Sequence, residues 1–314
     1  MKYRYKPDGH RELGPVDSDV LFKLVQAGRV NLLTPVRPQR TTEWSTAGRL
    51  LPHLFAQPES STSLASIPWG CWELERPAPK PRTEWENSLG MKFVSVPGTE
   101  VLFSVWHTRV QDFEPFGLTR ERALRTPGYP QGPLHPVVSV DGEIAQAFAK
   151  WLTEKERRAG RITARQRYRL PRDWEWSVAV GLIEARAGTP KMKDGKIKGM
   201  YPWGTQWPPP WGAGNYEPSL NVDDYEFTSP VGSFAANVHG LYDMGGNAWQ
   251  WCEDSYDERQ KYGVLRGGSW FSSDADTLVS SFRLASGFRN SMTGSDHGFR
   301  LVLAGGSARL EVGA

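Results

Sequence analysis

Cysteine and histidine, which can supply a thiol nucleophile or ligate a transition metal, are few in this sequence. Its 314 residues contain only Cys71 and Cys252, too few for a disulfide framework or a four-cysteine zinc site. The six histidines, at positions 10, 53, 107, 135, 239 and 297, are scattered, and no two have the spacing of metal ligands on one helix. These residues therefore predict no thiol or histidine centre.

Carboxylates occur near turns after residue 220, but no base, nucleophile or metal motif lies beside them. Without such a partner they are best interpreted as solvated turn residues, so no catalytic residue is assigned. The carboxylates considered are Asp223, Asp224, Glu226, Asp243, Glu253 and Asp254.

The composition is that of a globular chain held together by aromatic side chains. Hydrophobic residues make up 39% and charged residues 23%, with 14 tryptophans, 32 glycines and 24 prolines, which favours short strands and loops around buried aromatic anchors. A net charge of +3 gives no reason to expect a nucleic-acid partner. No apolar run reaches the roughly 20 residues of a membrane helix, and no signal peptide is visible. The expected location is the cytoplasm by default, or a phage or cell surface reached by another route.

Residues 1–55 are expected to form a small α+β domain, followed by a Pro/Ser-rich linker over 56–86. Lys2 to Lys6 alternate like a strand, and TPVR at 34–37 predicts another. Between them, Asp17-Ser18-Asp19 can cap a helix that ends at Gly28.

The Gly14-Pro15 step, this helix, the extended valine segment and the later Trp44 resemble GYF-like domains, and related domains bind proline-rich peptides on aromatic surfaces. The resemblance implies either docking of a proline-rich or intramolecular segment, or a structural role.

Residues 87–305 are expected to form the main domain, with a tail over 306–314. FVSV at 93–96 and VLFSV at 101–105 predict strands around a Pro97-Gly98 turn.

Two helices are predicted in this domain. Asp141 should begin an amphipathic helix that Gly160 ends, and a short helix should start after Pro171. Turns and short strands dominate after residue 200, so the domain is assigned to the α+β class.

Ordered motifs run through the main domain. They are NSLGMKFVSVPG (87–98), HPVVSVDGEIAQAFAKWL (135–152), RLPRDWEWSVAV (169–180), VGSFAANVHGLYDMGGNAWQWCED (231–254) followed by LRGGSW (265–270), and GFRLVLA (298–304). Together they resemble the formylglycine-generating enzyme and sulfatase-modifying-factor family, which implies a variant of the C-type-lectin-like fold.

Most conspicuous residues of these motifs are expected to be scaffold. Glycines allow tight turns, paired tryptophans two residues apart can fill a core from one strand face, and an arginine on the last strand can reach buried carbonyls. The scaffold residues assigned on this basis are Trp249, Trp251, Gly267, Gly268, Trp270 and Arg300.

The sequence lacks the residues on which the enzymes of this family depend. The family's oxidases use a cysteine pair just after the GGS[WY] step, whereas residues 271–297 contain none and Cys252 lies upstream. The related sulfoxide synthases use clustered histidines around iron, which this sequence does not have. A formylglycine-generating or other oxidoreductase activity remains the alternative to a binding role, and a structural or regulatory scaffold protein the second alternative.

No cofactor is expected to be required, but the resemblance implies structural calcium sites. One would comprise Asn215 and Asp223 with backbone oxygens of Tyr216 and Tyr225, an oxygen-only set that suits Ca²⁺. Turn capping by Asn and Asp without a metal is equally compatible with these residues. At a second family site Gln250 replaces the usual glutamate, which argues against an ion there.

The segment 271–297 has an unusual composition. Seven of its 27 residues are serine, and Lys, Glu, Gln and Trp are absent, where the overall composition predicts about five. Some family members are variable proteins of diversity-generating retroelements, in which adenine-directed mutagenesis of AAC or AAT codons cannot produce these four types or Met. On this resemblance, residues 264–303 would be the variable region, with Met292, Arg283 and Arg289 as fixed positions.

The function predicted from this resemblance is non-catalytic binding of an unknown protein or other macromolecule through exposed side chains of that region. Aromatic anchors among small polar residues are typical of adaptable binding sites. Several positions, Phe282 above all, are equally compatible with a core role. The predicted ligand-binding residues are Phe271, Ser273, Phe282, Leu284, Ser286, Phe288, Ser291, Thr293, Ser295, Asp296 and His297.

Overall fold

The computed structural model describes residues 2–6, 12–17, 20–21, 24, 30, 34–39, 44–47, 85–118, 126–287 and 294–305. The chain divides into two compact units, Met1–Glu75 and Arg76–Ala314. None of the helices within the described ranges is long and apolar enough to cross a membrane.

In the first unit, the described residues form a four-stranded antiparallel sheet. Its strands are β1 (Lys2–Tyr5), β2 (Leu13–Asp17), β3 (Pro35–Pro38) and β4 (Ser45–Thr46), in the spatial order β2-β1-β3-β4. The strands predicted near residues 2–6 and 34–37 are confirmed. Most of the helix predicted before Gly28, and nearly all of the 56–86 linker, lie outside the described residues.

Trp44 in this unit is covered by cations. The ammonium of Lys6 lies 4.6 Å from the centroid of the indole ring, and the guanidinium of Arg37 lies 5.1 Å from it. Such cation–π contacts stabilise the ring where it is.

The second unit is built from short strands and few helices. The strands are β5 (Trp85–Glu86), β6 (Lys92–Ser95), β7 (Leu102–Ser104), β8 (Arg167–Arg169), β9 (Trp249–Ser255), β10 (Tyr262–Arg266), β11 (Leu284–Gly287), β12 (His297–Gly298) and β13 (Val302–Ala304). The helices are α1 (Val110–Gly117), α2 (Gly142–Arg158), α3 (Asp173–Val180) and the single turn α4 (Pro190–Lys193).

Two sheets organise this unit. One has the order β5-β6-β7-β13-β8, so the last strand pairs with β7, with Val302 opposite Phe103. The beginning and the end of the domain are thereby joined in one sheet. The other has the order β11-β10-β9-β12, with β12 parallel to β9. The arrangement is the C-type-lectin-like α+β fold that the motifs imply.

Of the helices described, α2 and α3 agree with the sequence-based prediction, whereas α1 and the single turn α4 were not expected. The Asp141 side chain accepts a hydrogen bond from Ile144 N at 2.8 Å and begins α2, and α3 starts after Pro171 as predicted. The helix α1 was not predicted, because Pro115 lies inside it and removes a backbone donor, which normally indicates a helix break.

Candidate ligand-binding surface

Two glycines turn the chain immediately before Trp270. Gly267 and Gly268 have φ values of +96° and +77°, a region that residues with a Cβ rarely adopt. A Cβ on Gly267 would also lie 2.8 Å from Met244 O, and one on Gly268 would lie 2.7 Å from Leu278 Cδ2. Because larger residues are strained at both positions, the backbone path into Trp270 is fixed.

Two tryptophans and an arginine fix the core beneath this turn. Trp249 and Trp251 are 6% and 0% exposed and contribute to one apolar cluster from β9. Arg300 is fully buried, and among the described residues its guanidinium donates to uncharged acceptors, an arrangement expected of a scaffold arginine. These acceptors, at distances between 2.6 and 3.1 Å, are Gln250 Oε1 and the carbonyl oxygens of Ser104, Tyr242 and Asp243.

Tyr129, Phe227, Trp270 and Phe271 pack together and form the Trp270 platform. Tyr129 and Phe227 stack with ring centroids 4.6 Å apart, and Trp270 packs edge-on against them at 5.4 and 5.1 Å. Trp270 Nε1 donates to the Tyr129 hydroxyl at 3.1 Å, which fixes the orientation of the indole. The Phe271 ring lies 5.4 Å from Trp270 and is 67% exposed. An exposed phenyl ring therefore stands on an ordered aromatic base.

Polar residues border the platform. The Tyr129 hydroxyl donates to Ser295 O at 2.7 Å, and the Ser269 hydroxyl donates to Asp296 Oδ2 at 2.6 Å. Ser295 and Asp296 are half-buried, and Ser273, two residues after Phe271, is exposed. Phe271, Ser295 and Asp296 of the predicted ligand-binding residues thus lie at or beside the platform, and Ser273 follows it closely in the sequence.

The expectation that His297 is an exposed ligand-binding residue is wrong. It is 8% exposed, and its ring packs edge-on against Trp251 with the centroids 5.8 Å apart. Burial lowers the pKa of His297, although the neighbouring Asp296 acts in the opposite direction. Strand β12 pairs His297 with Trp249, which turns its side chain into the core.

Predicted residues on the β11 side serve the core. Leu284 pairs with Leu265 of β10 on the face that carries Trp251, and both Leu284 and Phe282 pack against that apolar cluster. Ser286 is half-buried and pairs with Gly263. Because β11 and β12 are opposite edges of their sheet, these residues lie at the edge away from Ser295 and Asp296, which directly precede β12. The predicted residues Phe288, Ser291 and Thr293 lie outside the described residues.

A buried ionic cluster lies under the segment 271–297. Asp173 Oδ2 is 3.0 Å from Arg283 Nη2 and 2.9 Å from Lys193 Nζ, and Asp173 Oδ1 accepts from Arg266. Arg283 also pairs with Glu184. Burial alone would raise the pKa of Asp173, but Arg266 and Arg283 hold it well below its usual value. Sequence reasoning assigned Arg283 as fixed but missed its partners, because Asp173 lies 110 residues away.

The predicted calcium loop is folded around Asp223. Its two carboxylate oxygens accept hydrogen bonds from Tyr216 N at 3.0 Å and Tyr225 N at 2.8 Å. Burial raises the pKa of Asp223. Asn215 is fully buried and its Nδ2 donates to Phe227 O at 2.8 Å, whereas its Oδ1 has no hydrogen-bond partner among the described residues. An unsatisfied buried oxygen and a partly desolvated carboxylate in one loop are the kind of oxygen ligands that a hard cation takes.

The family model of the sulfatase-modifying factor enzyme 1-like domain matches residues 87–304. This covers more than half of the chain. The chain belongs to this family. Within it, a formylglycine-generating enzyme from Thermomonospora curvata is 34% identical over 129 residues, which are 39% of this chain and 34% of that enzyme.

The family also includes relatives named as inactive. The inactive C-alpha-formylglycine-generating enzyme 2 of Mus musculus is 34% identical over 142 residues, 43% of this chain and 37% of that protein. The chain thus spans about a third of the length of each of these two relatives. Among solved structures, Treponema denticola variable protein 1 has a TM-score of 0.50 at 17% identity, with 71% of this chain and 99% of that chain covered. This likeness shows a shared fold.

Cys252, the cysteine that lies within the described residues, is inaccessible to solvent. Cys252 is fully buried in the cluster behind β9, and burial raises its pKa well above the usual value, with Asp173 adding to the effect. A protonated, buried thiol is a poor nucleophile. Cys71 lies outside the described residues.

Proposed function

We propose that the domain binds a macromolecular ligand through the Trp270 platform and its polar border, without catalysis. The observation that carries this proposal is Phe271, a large apolar side chain that is 67% exposed next to a tryptophan held by ring contacts and a hydrogen bond. Aromatic anchors of this kind dominate binding energy in protein interfaces. Because the base is already ordered, little conformational entropy is lost when a ligand packs on the ring.

The composition of the segment supports a diversified surface. Ser273 is exposed and Ser295 half-buried, and both carry small polar side chains beside the aromatic anchor, the mixture used by adaptable paratopes. The frame does not rely on these side chains, since the platform contact at Ser295 is made by its backbone oxygen. We therefore interpret the chain as a retroelement variable protein whose ligand depends on the residues at the platform.

A selection experiment tests this proposal with a defined probe. One display library randomises Phe271, Ser273 and Ser295, and a matched library randomises Lys150, Glu154 and Arg158, which are exposed on α2. Both are selected against immobilised lysozyme. The platform library should yield folded binders and the α2 library should not. Equal enrichment from both libraries, or none from the platform library, would contradict a dedicated binding surface.

A structural Ca²⁺ is part of this proposal. The oxygens of Asn215 and Asp223, with the backbone oxygens of Tyr216 and Tyr225, would hold it. Support comes from the unpartnered Oδ1 of Asn215. The ion would fix the loop that also carries Phe227 of the platform.

Oxidation of a sulfatase-type cysteine is the alternative function, favoured by the identity to the Thermomonospora curvata enzyme. It requires a reactive thiol, and Cys252 is buried and protonated. Incubation of the chain with a sulfatase-motif peptide and assay for aldehyde discriminates between the two functions. Aldehyde formation that is lost in Cys252→Ala would favour the oxidase.

A further inference from the structure

A basic groove, separate from the platform, has a volume of about 780 Å³ and lies at the edge strand β8. Its other walls are the turn at 98–101, the end of β13 and the start of α3. The lining contains six arginines against two glutamates, a net charge of +4, whereas the whole chain carries only +3. The arginines are Arg157, Arg165, Arg167, Arg169, Arg172 and Arg186.

Two of these arginines are neutralised by carboxylates. Arg169 forms a two-pronged pair with Glu175, with both N–O distances 2.7 Å. Glu253 lies 3.6 Å from Arg169 and 3.6 Å from Arg172. This part of the groove is an internal ion-pair network and does not call for a ligand.

The other four arginines have no carboxylate partner within the described part of the chain. Arg157 Nη2 donates to the carbonyls of Ala164 and Gln166 at 2.9 and 2.8 Å. Arg186 Nη2 donates to Gly98 O at 2.7 Å, and its guanidinium lies 4.3 Å from the centroid of the Trp174 ring.

Carbonyl and aromatic contacts orient these guanidiniums without cancelling their charge. Arg157 and Arg186 are thus held in place while other N–H groups of their guanidiniums stay available to a ligand. The exposed Arg165 and Arg167 lie in the same lining.

We propose that this groove binds a compact polyphosphate chain, as in inorganic tripolyphosphate or the triphosphate of a nucleotide. A guanidinium donates in pairs to phosphate oxygens, and a tetrahedral phosphate can accept from several guanidiniums at once. Three linked phosphates carry about four negative charges in one small group. This is comparable to the charge of the four arginines without a carboxylate partner, less the one charge of Glu100 in the same lining. A peptide with the same charge spreads it over four side chains and buries more of its own backbone.

The test is isothermal titration of the full chain with sodium tripolyphosphate in about 150 mM NaCl, which screens distant surface charges. Arg165→Gln combined with Arg167→Gln removes two exposed guanidiniums from the lining of the groove. This variant should bind at least about tenfold more weakly, since each charge-assisted contact contributes about that factor. The matched control, Lys150→Gln with Arg158→Gln, removes the same charge from exposed α2 positions outside the groove and should bind like the wild type.

Two further measurements test whether a fixed guanidinium geometry matters and whether the phosphate chain alone is recognised. Arg157→Lys keeps the charge but loses the fork on the two carbonyls, and it should weaken binding several-fold if fixed geometry matters. A nucleoside triphosphate that binds as tightly as tripolyphosphate shows that the phosphate chain suffices, and tighter binding shows that the base adds contacts. The proposal is overturned if tripolyphosphate gives no binding, if the α2 control weakens it equally, or if tetraglutamate binds as tightly.

Discussion

Replacing Asp173 with asparagine should strongly destabilise the main domain. Its carboxylate is surrounded by the cations Arg266, Arg283 and Lys193, and the only other nearby carboxylate that pairs with them is Glu184, within the described residues. The native cluster therefore has three cations and two anions. Asp173→Asn keeps the size of the side chain but leaves three cations against one anion in a buried site.

Removing one partner of a buried pair typically costs about 3–5 kcal/mol, because the remaining charges are left without solvation. For a domain of this size, each kcal/mol corresponds to roughly 2–4 °C in melting temperature. Asp173→Asn should therefore lower the melting temperature by about 6–20 °C. Arg283→Leu in the same background restores the native charge balance, so the double variant should lose less stability than the sum of the two single variants.

The assay is thermal melting followed by circular dichroism, with urea denaturation to obtain the free energies of unfolding. Asp276→Asn is the matched control, because it makes the same chemical change in an ion pair with Lys198 whose side chains are 76% and 61% exposed. The control should melt like the wild type. Equal shifts for Asp173→Asn and Asp276→Asn, or additive losses in the double variant, would refute the view that this buried cluster stabilises the domain.

Three further predictions concern acid, metal and thiol. Burial lowers the pKa of His107 to about 3 in the folded chain, whereas an unfolded histidine has a pKa of about 6.5. Below about pH 6.5 the unfolded chain therefore binds a proton that the folded chain does not. The free energy of unfolding should then fall by roughly 1.4 kcal/mol for each pH unit of acidification down to about pH 3. Urea melts at several pH values should show a shallower fall for His107→Gln, and parallel curves would contradict this. EGTA should lower the melting temperature of the wild type but not of Asp223→Asn, with recovery on adding Ca²⁺; a wild type indifferent to EGTA would exclude the ion. Cys252 should resist iodoacetamide in the folded chain and react once urea is added, as mass spectrometry can measure.

Local sequence patterns were sufficient to predict much of the scaffold. The strand pair around Pro97-Gly98 and the helix that begins at Asp141 follow from alternation, apolar spacing and a capping side chain, all of which lie within a few residues of each other. Trp249 and Trp251 could be placed on one strand face for the same reason. These features depend on short-range geometry, which a single sequence records directly.

Long-range partners could not be predicted in the same way. The platform joins Tyr129, Phe227 and Trp270, which are far apart in the sequence and carry no shared motif. His297 was expected to be exposed because it lies in a polar segment, yet its pairing with β9 turns it inward. The sequence does contain a weak indication that Arg266 is buried. It directly follows the apolar pair Val264-Leu265, and a buried arginine at such a place needs a counter-charge.

The structure divides the segment 271–297 into two kinds of position. Arg283 and Leu284 are held by the ionic cluster or the apolar core, so the absence of Lys, Glu and Gln at such positions needs no genetic cause. Only positions that neither the cluster nor the core holds, such as Phe271 and Ser273, bear on the proposed diversification.

A near-copy of codons 264–303 elsewhere in the genome should therefore differ from the gene at adenines in the codons of Phe271 and Ser273. It should match the gene at the codons of Arg266 and Arg283, because variation there would break the pairs with Asp173. DNA sequencing around the gene measures this directly. Adenine differences spread evenly over buried and exposed codons would mean that the frame is not protected, and the proposed separation between frame and binding surface would be wrong.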